Sequence, residues 1–512
     1  THMMKNNSGP RAHRPGTPSA KERPVGEHCG GPGARQRVFR RLAAPWLGLI
    51  ASLWLGPAAA SEPMCAPQAG TAPPSVLEGL VRAPAELVRS AAGGRPPGFG
   101  ESVALLPSMD GRIALLAGAP AGHSVRGGGL VLGAARVGRP GSWGTGGANS
   151  WWSGPETLTG GPGVPVREGA DDQHGQAVAA APAWAALGAP SASLALSRVG
   201  ATLHGRLTGA VTMLHLDSDG GSGRCTQWLQ GPSGEGAGGF GSALAFLVEG
   251  GATKALAVGS PFADDPASGL PMVGAVHLFE PLPLGGGATR PRWERVLTIR
   301  PDAPRIGMSF GASLAWIGGA LAIGAPGDST LSPGAGSVHG VSRAGQPRWT
   351  LRSGEPGARL GATLCSLDVA WGTGEPGLAA SAPGRGVVHV YDLMAGSPHG
   401  IVDLRGRPGA GFGLALAAAD RHLFVGAPFA GSDGVPLAGV VYRFVAGPGR
   451  VAVETLRAPE PTVGGEFGVS AAALRGGDGV LRLAVGEPGS HDGCPSSSSS
   501  CRPGRVAVFA LP

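Results

Sequence analysis

The chain has 512 residues, of which 93 are glycine and 48 proline, and only 15% carry a charge, against about 25% in an ordinary soluble domain. Its formal charge of +7 points at first to a nucleic-acid partner, but nine of the 41 basic and two of the 34 acidic side chains lie in residues 1–60. The rest of the chain is electrically balanced, which excludes a basic, nucleic-acid-binding body.

In chain order, residues 1–60 read as a leader. Arg35, Arg37, Arg40 and Arg41 precede an apolar run from Leu42 to Leu55, and Ala58-Ala59-Ala60 follows as a signal-peptidase site. This predicts a cleaved secretory signal and a secreted, periplasmic or cell-surface location. The run is short for a spanning helix and holds Pro45 and Gly48, so no membrane span is expected in the mature chain. Residues 61–84 are expected to be a short linker. Six cysteines fit an oxidising compartment loosely. Cys494 and Cys501 bracket a proline and serine loop and are expected to form a local disulfide contributing about 2–3 kcal/mol. Cys365, inside the apolar string ATLCSL, reads as a buried free thiol. Cys65 and Cys225 are left unassigned.

From residue 85 onward one unit recurs. Gly100, Gly175, Gly241, Gly311, Gly361, Gly413 and Gly468, usually preceded by Phe, are each followed by a small-residue turn ending in proline. The turns are Ala117–Pro120, Leu187–Pro190, Val258–Pro261, Ile323–Pro326, Ala380–Pro383, Val425–Pro428 and Val485–Pro488. Seven repeats of this kind mean one supersecondary unit used seven times. Strand 1 follows the first glycine (Glu101–Leu106, Ser242–Leu247, Ala312–Ile317), and strand 2 runs into the proline turn. Strand 3 opens on a glycine (Gly274–Phe279, Gly386–Tyr391, Gly439–Phe444, Gly504–Phe509), and strand 4 is marked by Trp or Leu, as at Trp228, Val296, Trp349 and Val402. Short apolar runs without alternation suit strands covered on both faces. Four strands and seven units predict an all-β, seven-bladed β-propeller over residues 85–512. The strand-like Glu86–Arg89 ahead of Phe99 is expected to complete the seventh blade beside Arg505–Ala510 and close the ring.

With Phe-Gly and Gly-Ala-Pro in register, the chain resembles the FG-GAP repeat family, the β-propeller of integrin alpha subunits and of many microbial surface proteins. His174-Gly175 and Leu360-Gly361 depart from the first motif, and Ser381 from the second. The resemblance implies a calcium loop between strands 1 and 2 in many members. Here three of those loops are too short, and the longer ones offer only Asp110, Glu249, Asp368, Glu375 and Asp478. Calcium needs six to eight oxygens, so no cofactor is expected. In integrin-like propellers the loop between strands 2 and 3 faces ligand. Asp264, Asp265, Asp328, Asp433 and Asp492 fall there and are the candidate binding residues, against the alternative that Asp simply suits turns. Trp143, Trp151 and Trp152 are a second candidate surface for a carbohydrate or protein, against the alternative that Trp151 and Trp152 form a strand.

The histidines are scattered, with no HExxH and no zinc spacing to cysteine. His277 and His389 occupy equivalent places in strand 3, which favours a structural role. The string GEGAGG at 234–239 has no strand and helix around it to make a nucleotide loop, and no nucleophile elbow is present. The expected function is therefore recognition of an extracellular protein or glycan, as in adhesion, without catalysis. A propeller hydrolase or lyase, or an accessory subunit of one, is the alternative.

Overall fold

The computed structural model describes residues 77–80, 85–89, 98–107, 113–118, 130–132 and 156–158, and most of 175–511 except chiefly 216–223, 283–291 and 490–503. The leader, Trp143, Trp151, Trp152, Asp492, Cys494 and Cys501 lie outside the described residues. Among the described residues, no helix is long and apolar enough to cross a membrane.

The fold is a β-propeller of antiparallel sheets. Two strands open it, β1 (Leu77–Leu80) and β2 (Ala85–Arg89), followed by β3 (Ser102–Pro107), β4 (Ile113–Gly118), β5 (Leu130–Leu132) and β6 (Glu156–Leu158). The second repeat contributes β7 (Ala177–Ala181), β8 (Trp184–Ala189), the short pair β9 (Leu196–Arg198) and β10 (Ala201–Leu203), β11 (Ala210–His215) and β12 (Arg224–Gln230). The third is β13 (Ala243–Glu249), β14 (Ala252–Ser260), β15 (Ala275–Pro281) and β16 (Trp293–Ile299), and the fourth β17 (Ser313–Ile317), β18 (Ala320–Ala325), β19 (Ser337–Ser342) and β20 (Pro347–Arg352). The fifth is β21 (Leu364–Leu367), β22 (Gly377–Ala382), β23 (Val387–Asp392) and β24 (His399–Arg405). The sixth is β25 (Leu416–Ala419), β26 (His422–Ala427), β27 (Val440–Gly447) and β28 (Arg450–Arg457), and the last β29 (Ser470–Arg475), β30 (Leu481–Glu487) and β31 (Arg505–Leu511).

Six sheets have four strands or more, not the seven expected. The first repeat supplies only the two-stranded pairs β3–β4 and β5–β6, because most of residues 119–174, where its outer strands were expected, lies outside the described residues. The other expected strands are present in the expected order. β2 pairs antiparallel with β31, Glu86 opposite Val508 and Arg89 opposite Arg505, and is the outer strand of the β29–β31 sheet. β1 was not anticipated. It lies parallel to β28 and gives the sixth sheet a fifth strand.

The strand-1 elements pack side by side in the order β3, β7, β13, β17, β21, β25, β29, and β29 packs in turn on β3. Their spacing is set by glycine. The seven repeat glycines all have φ between 85° and 97°, a region that a side chain rarely adopts. Each donates its N–H to the carbonyl of the glycine (Ser381 in the fifth repeat) in its own proline turn, at 2.7–3.0 Å. That turn glycine in turn faces the next repeat: a Cβ on Gly324 would lie 2.1 Å from the Gly361 carbonyl oxygen, and one on Gly486 1.8 Å from that of Gly100. Serine hydroxyls reinforce the junctions at Ser102 to Gly175, Ser313 to Gly361 and Ser470 to Gly100, each 2.7 Å. The preceding Phe residues are the wedges. Phe99, Phe240, Phe310, Phe412 and Phe467 are all buried, each burial contributing about 1.5–3 kcal/mol, and the backbone of Phe99, Phe240, Phe310 and Phe467 abuts the strand-3 glycine of the repeat before, as Phe310 does Gly274.

Gly324→Ala is expected to lower stability by about 2–3 kcal/mol, because backbone rather than a movable side chain fills the space. Gly354→Ala, where a Cβ meets nothing within 4 Å, should stay within about 0.5 kcal/mol. Thermal melts of the two variants check this.

Candidate functional site: the loop rim

In an antiparallel blade, strand 4 ends where strand 3 begins, so its last residue reaches the rim built by the loops between strands 2 and 3 and between strand 4 and the next repeat. Five repeats place arginine there: Arg300, Arg352, Arg405, Arg457 and, on β2, Arg89. Arg352 stands opposite Ser337, Arg405 opposite Val387 and Arg457 opposite Val440, each pair joining the end of strand 4 to the start of strand 3. Aspartates of the 2–3 loops lie within reach of Arg300, Arg352 and Arg457.

In the third repeat, Asp265 is buried. Its Oδ2 accepts the Ser268 N–H at 3.0 Å and the Ser268 hydroxyl, and its Oδ1 is 3.9 Å from Arg300 Nη1. The Ser268 hydroxyl, the other Ser268 contacts and Arg300 hold the Asp265 carboxyl below its usual range against the opposing effect of burial. Arg300 also grips Glu235, which arrives on the preceding 4–1 loop and lies 3.0 Å from His277 Nε2, a contact out of line for a hydrogen bond. His277 is fully buried, its Nδ1 3.1 Å from the Thr298 hydroxyl. Half-buried Asp264 accepts the Met272 N–H at 3.2 Å.

In the fourth repeat, Asp328 is buried. Its Oδ1 takes the Thr330 N–H at 2.9 Å and the Thr330 hydroxyl, and its Oδ2 is 3.9 Å from Arg352 Nε. Burial works against its charge, but the hydroxyls of Thr330 and Ser337 outweigh it and keep the carboxyl ionised below the usual range. Nearby His339 is pushed down to about 4, chiefly by burial, so it is neutral near pH 7. In the sixth repeat Asp433 is exposed and paired with Arg457. The fifth repeat tests the pattern. Its 2–3 loop is a single 3-10 turn, Pro383–Arg385, without aspartate, and Arg405 stays 68% exposed, held only by Asp403 on its own strand. That Asp403 also pairs with His389 at 2.6 Å.

The last repeat carries the densest charges. Glu487, in the place of the motif alanine, and Arg505, its partner in register, are both buried and joined by two bonds of 2.7 Å, with Glu460 on Arg505 at 2.8 Å. Breaking such a pair leaves a buried charge alone and costs about 3–5 kcal/mol. Close by, Glu101 follows Gly100, and burial, with the Glu466 carboxylate, raises it to about 7.

The structure thus places Asp264, Asp265, Asp328 and Asp433 on the 2–3 loops of one rim. Asp265 and Asp328 are tied into their own loops, which leaves Asp264 and Asp433 as the two within reach of solvent. The terminal arginines went unread, although an aliphatic residue followed by Arg at five of the outer-strand ends was a visible signal. Cys365 on β21 is free and half-buried rather than buried, with its thiol pushed up to about 12 by burial. Among the described residues no group of three or more His, Cys, Asp or Glu is placed to hold a metal ion. The chain matches no protein-family model, and no curated protein matches it.

Two outcomes follow from these contacts. Asp328→Ala should cost about 2–3 kcal/mol near pH 7, because it removes the hydrogen bonds that Thr330 and Ser337 give to a buried charged group, while Asp433→Ala should cost under about 1 kcal/mol. Chemical denaturation at pH 7 separates them. Glu101 has a folded-state pKa raised above its unfolded value, so its contribution is complete below about pH 4.5 and is lost as pH rises to about 7. Melting temperature should therefore fall across that window, and Glu101→Gln should flatten the fall.

Proposed function

We propose that the chain is a secreted or surface-exposed binding protein, a seven-bladed propeller of the FG-GAP type that recognises an extracellular protein or glycan through its loop rim, without catalysis. The observation that carries this reading is the rim itself: the loops bearing the candidate residues stand together on one edge of a rigidly repeated frame, where recognition usually resides. FG-GAP membership is supported by the physical need met by both halves of the motif, the positive-φ glycine and the close-approach glycine of the turn. A seventh blade and ring closure by β2 are supported by the packing of β29 on β3, the approach of Gly486 to Gly100 and the pairing of β2 with β31. A secretory location rests on the basic and apolar pattern of the leader, and the disulfide between Cys494 and Cys501 on their spacing alone.

The rim is tested by steric blocking, which assumes nothing about the ligand's chemistry. Binders are found on arrays of extracellular proteins and glycans. Polyethylene glycol coupled to Ala303→Cys, exposed on a 4–1 loop, should weaken their binding at least tenfold. The same label on Ala252→Cys, exposed at the opposite end of a blade, should leave it unchanged. The reverse result would place recognition elsewhere. Calcium independence is part of the proposal: chelation should shift the melting temperature by less than about two degrees, because site-bound calcium at saturating excess would stabilise by several kcal/mol.

A further inference from the structure

Eight large apolar side chains are exposed among the described residues, and five of them stand on this one rim: Met272, Ile306, Leu331, Leu437 and Val463. Four fall into two equivalent pairs. Met272 and Leu437 each follow a proline and precede the strand-3 glycine by two residues, and Ile306 and Val463 occupy matching places in the adjoining 4–1 loops. A three-rung ladder locks each pair of loops together. Gly307, Ser309 and Phe310 donate to Pro271, Met272 and Val273, as Gly464, Glu466 and Phe467 donate to Pro436, Leu437 and Ala438.

The backbone at these sites suits glycine. Met272 has φ of 52° and Leu437 of 51°, whereas the matching residue of the fourth repeat is Gly334, at 58°. Bulky residues in the left-handed region are uncommon and strained. Here they are also 40% and 47% exposed, so burial does not compensate the strain. The loop ladder imposes the same positive φ on the facing Ser309 and Glu466, but only Met272 and Leu437 put a large apolar side chain into solvent there.

Resting on the rim reading above, we propose that Met272, Ile306 and Leu331 on one side, and Leu437 and Val463 on the other, anchor a protein partner that presents an uncharged, apolar face. Charge points the same way. The neighbouring charges are largely tied up, Asp265 and buried Glu235 on Arg300, Asp328 on Arg352 and Asp433 on Arg457, while half-buried Asp264 accepts the Met272 N–H, so no run of exposed like charges stands beside the anchors. An anionic membrane would call for an excess of Lys and Arg. A glycan calls for an aromatic platform, and no Trp or Tyr stands on the described 2–3 and 4–1 loops. An ordinary protein interface covers about 800 Å² per partner, enough to engage anchors on separate blades of one rim. The hydrogen-bonded loops hold those anchors out before binding, which lowers the ordering cost.

The test uses the full chain, immobilised and panned against a phage library of random twelve-residue peptides. Selected peptides should be rich in apolar residues, bind equally at low and high salt, and lose at least tenfold in affinity for the Met272→Gly, Leu437→Gly double variant. That variant should melt no lower than the original, since glycine suits both backbones; a clear drop would assign the side chains to the fold and overturn the proposal. It is equally overturned by peptides that are charged and salt-sensitive, by peptides indifferent to the double variant, by failure to select any, or by phosphatidylserine vesicles that bind the original chain and not the variant. Peptides blocked by the label at Ala303→Cys but indifferent to the glycine variant would sink the anchors and leave the rim reading standing.

Discussion

The structure depends on the contact between a glycine and the carbonyl of another glycine one repeat further on. Where a Cβ would fall about 2 Å from that oxygen, no side chain can be accommodated without moving a strand. The second glycine must in turn adopt a positive φ to aim its carbonyl there. Strand 1 of each repeat is thereby brought against its neighbour, and alanine is frequent in the crowded inner strands. The one departure is instructive. Ser381 replaces the turn glycine, its Cβ stands 3.0 Å from where one on Gly413 would be, and its hydroxyl accepts the Thr363 N–H at 2.9 Å. A side chain on one partner is tolerated there because the other has none.

Tight inner geometry leaves variation to the outer edge. The outer strand ends in arginine in four repeats and is followed directly by Arg300 in a fifth, and the loops opposite supply carboxylates where their length permits. A short 2–3 loop leaves Arg405 outside; longer loops carry Asp265, Asp328 and Asp433 to their partners. These pairs fasten the rim loops to the blades. The same loops can therefore hold Met272 and Leu437 in conformations that a free chain would avoid.

Much of this order was legible in the sequence because it is local. Glycine and proline mark turns by their own backbone preferences, and short apolar runs between them mark strands, so strands 1 to 3 and the pairing of Glu86–Arg89 with the final strand could be read directly. The equivalence of His277 and His389 was also readable, and both prove to be held by strand-4 partners, Thr298 and Asp403. What was not legible depends on register. Asp265 and Arg300 are far apart in sequence, and only the antiparallel pairing of strands 3 and 4 brings them to one edge. Met272 and Leu437 look like ordinary apolar residues until their φ angles and exposure are known. β1 escaped notice because Leu77–Leu80 carries no turn signal, and its parallel place beside β28 arises from tertiary packing.

The central proposal is that the last repeat meets the first through the same contact that joins the others, closing the ring. Amide hydrogen exchange at the seven repeat glycines tests it directly. The account predicts that Gly100, bonded to Gly118 and pressed against Gly486, is protected as strongly as Gly311 and Gly361, and that the amides of residues 85–89 share the protection of β31. Rapid exchange at Gly100 and along residues 85–89, with the other repeat glycines protected, would contradict it.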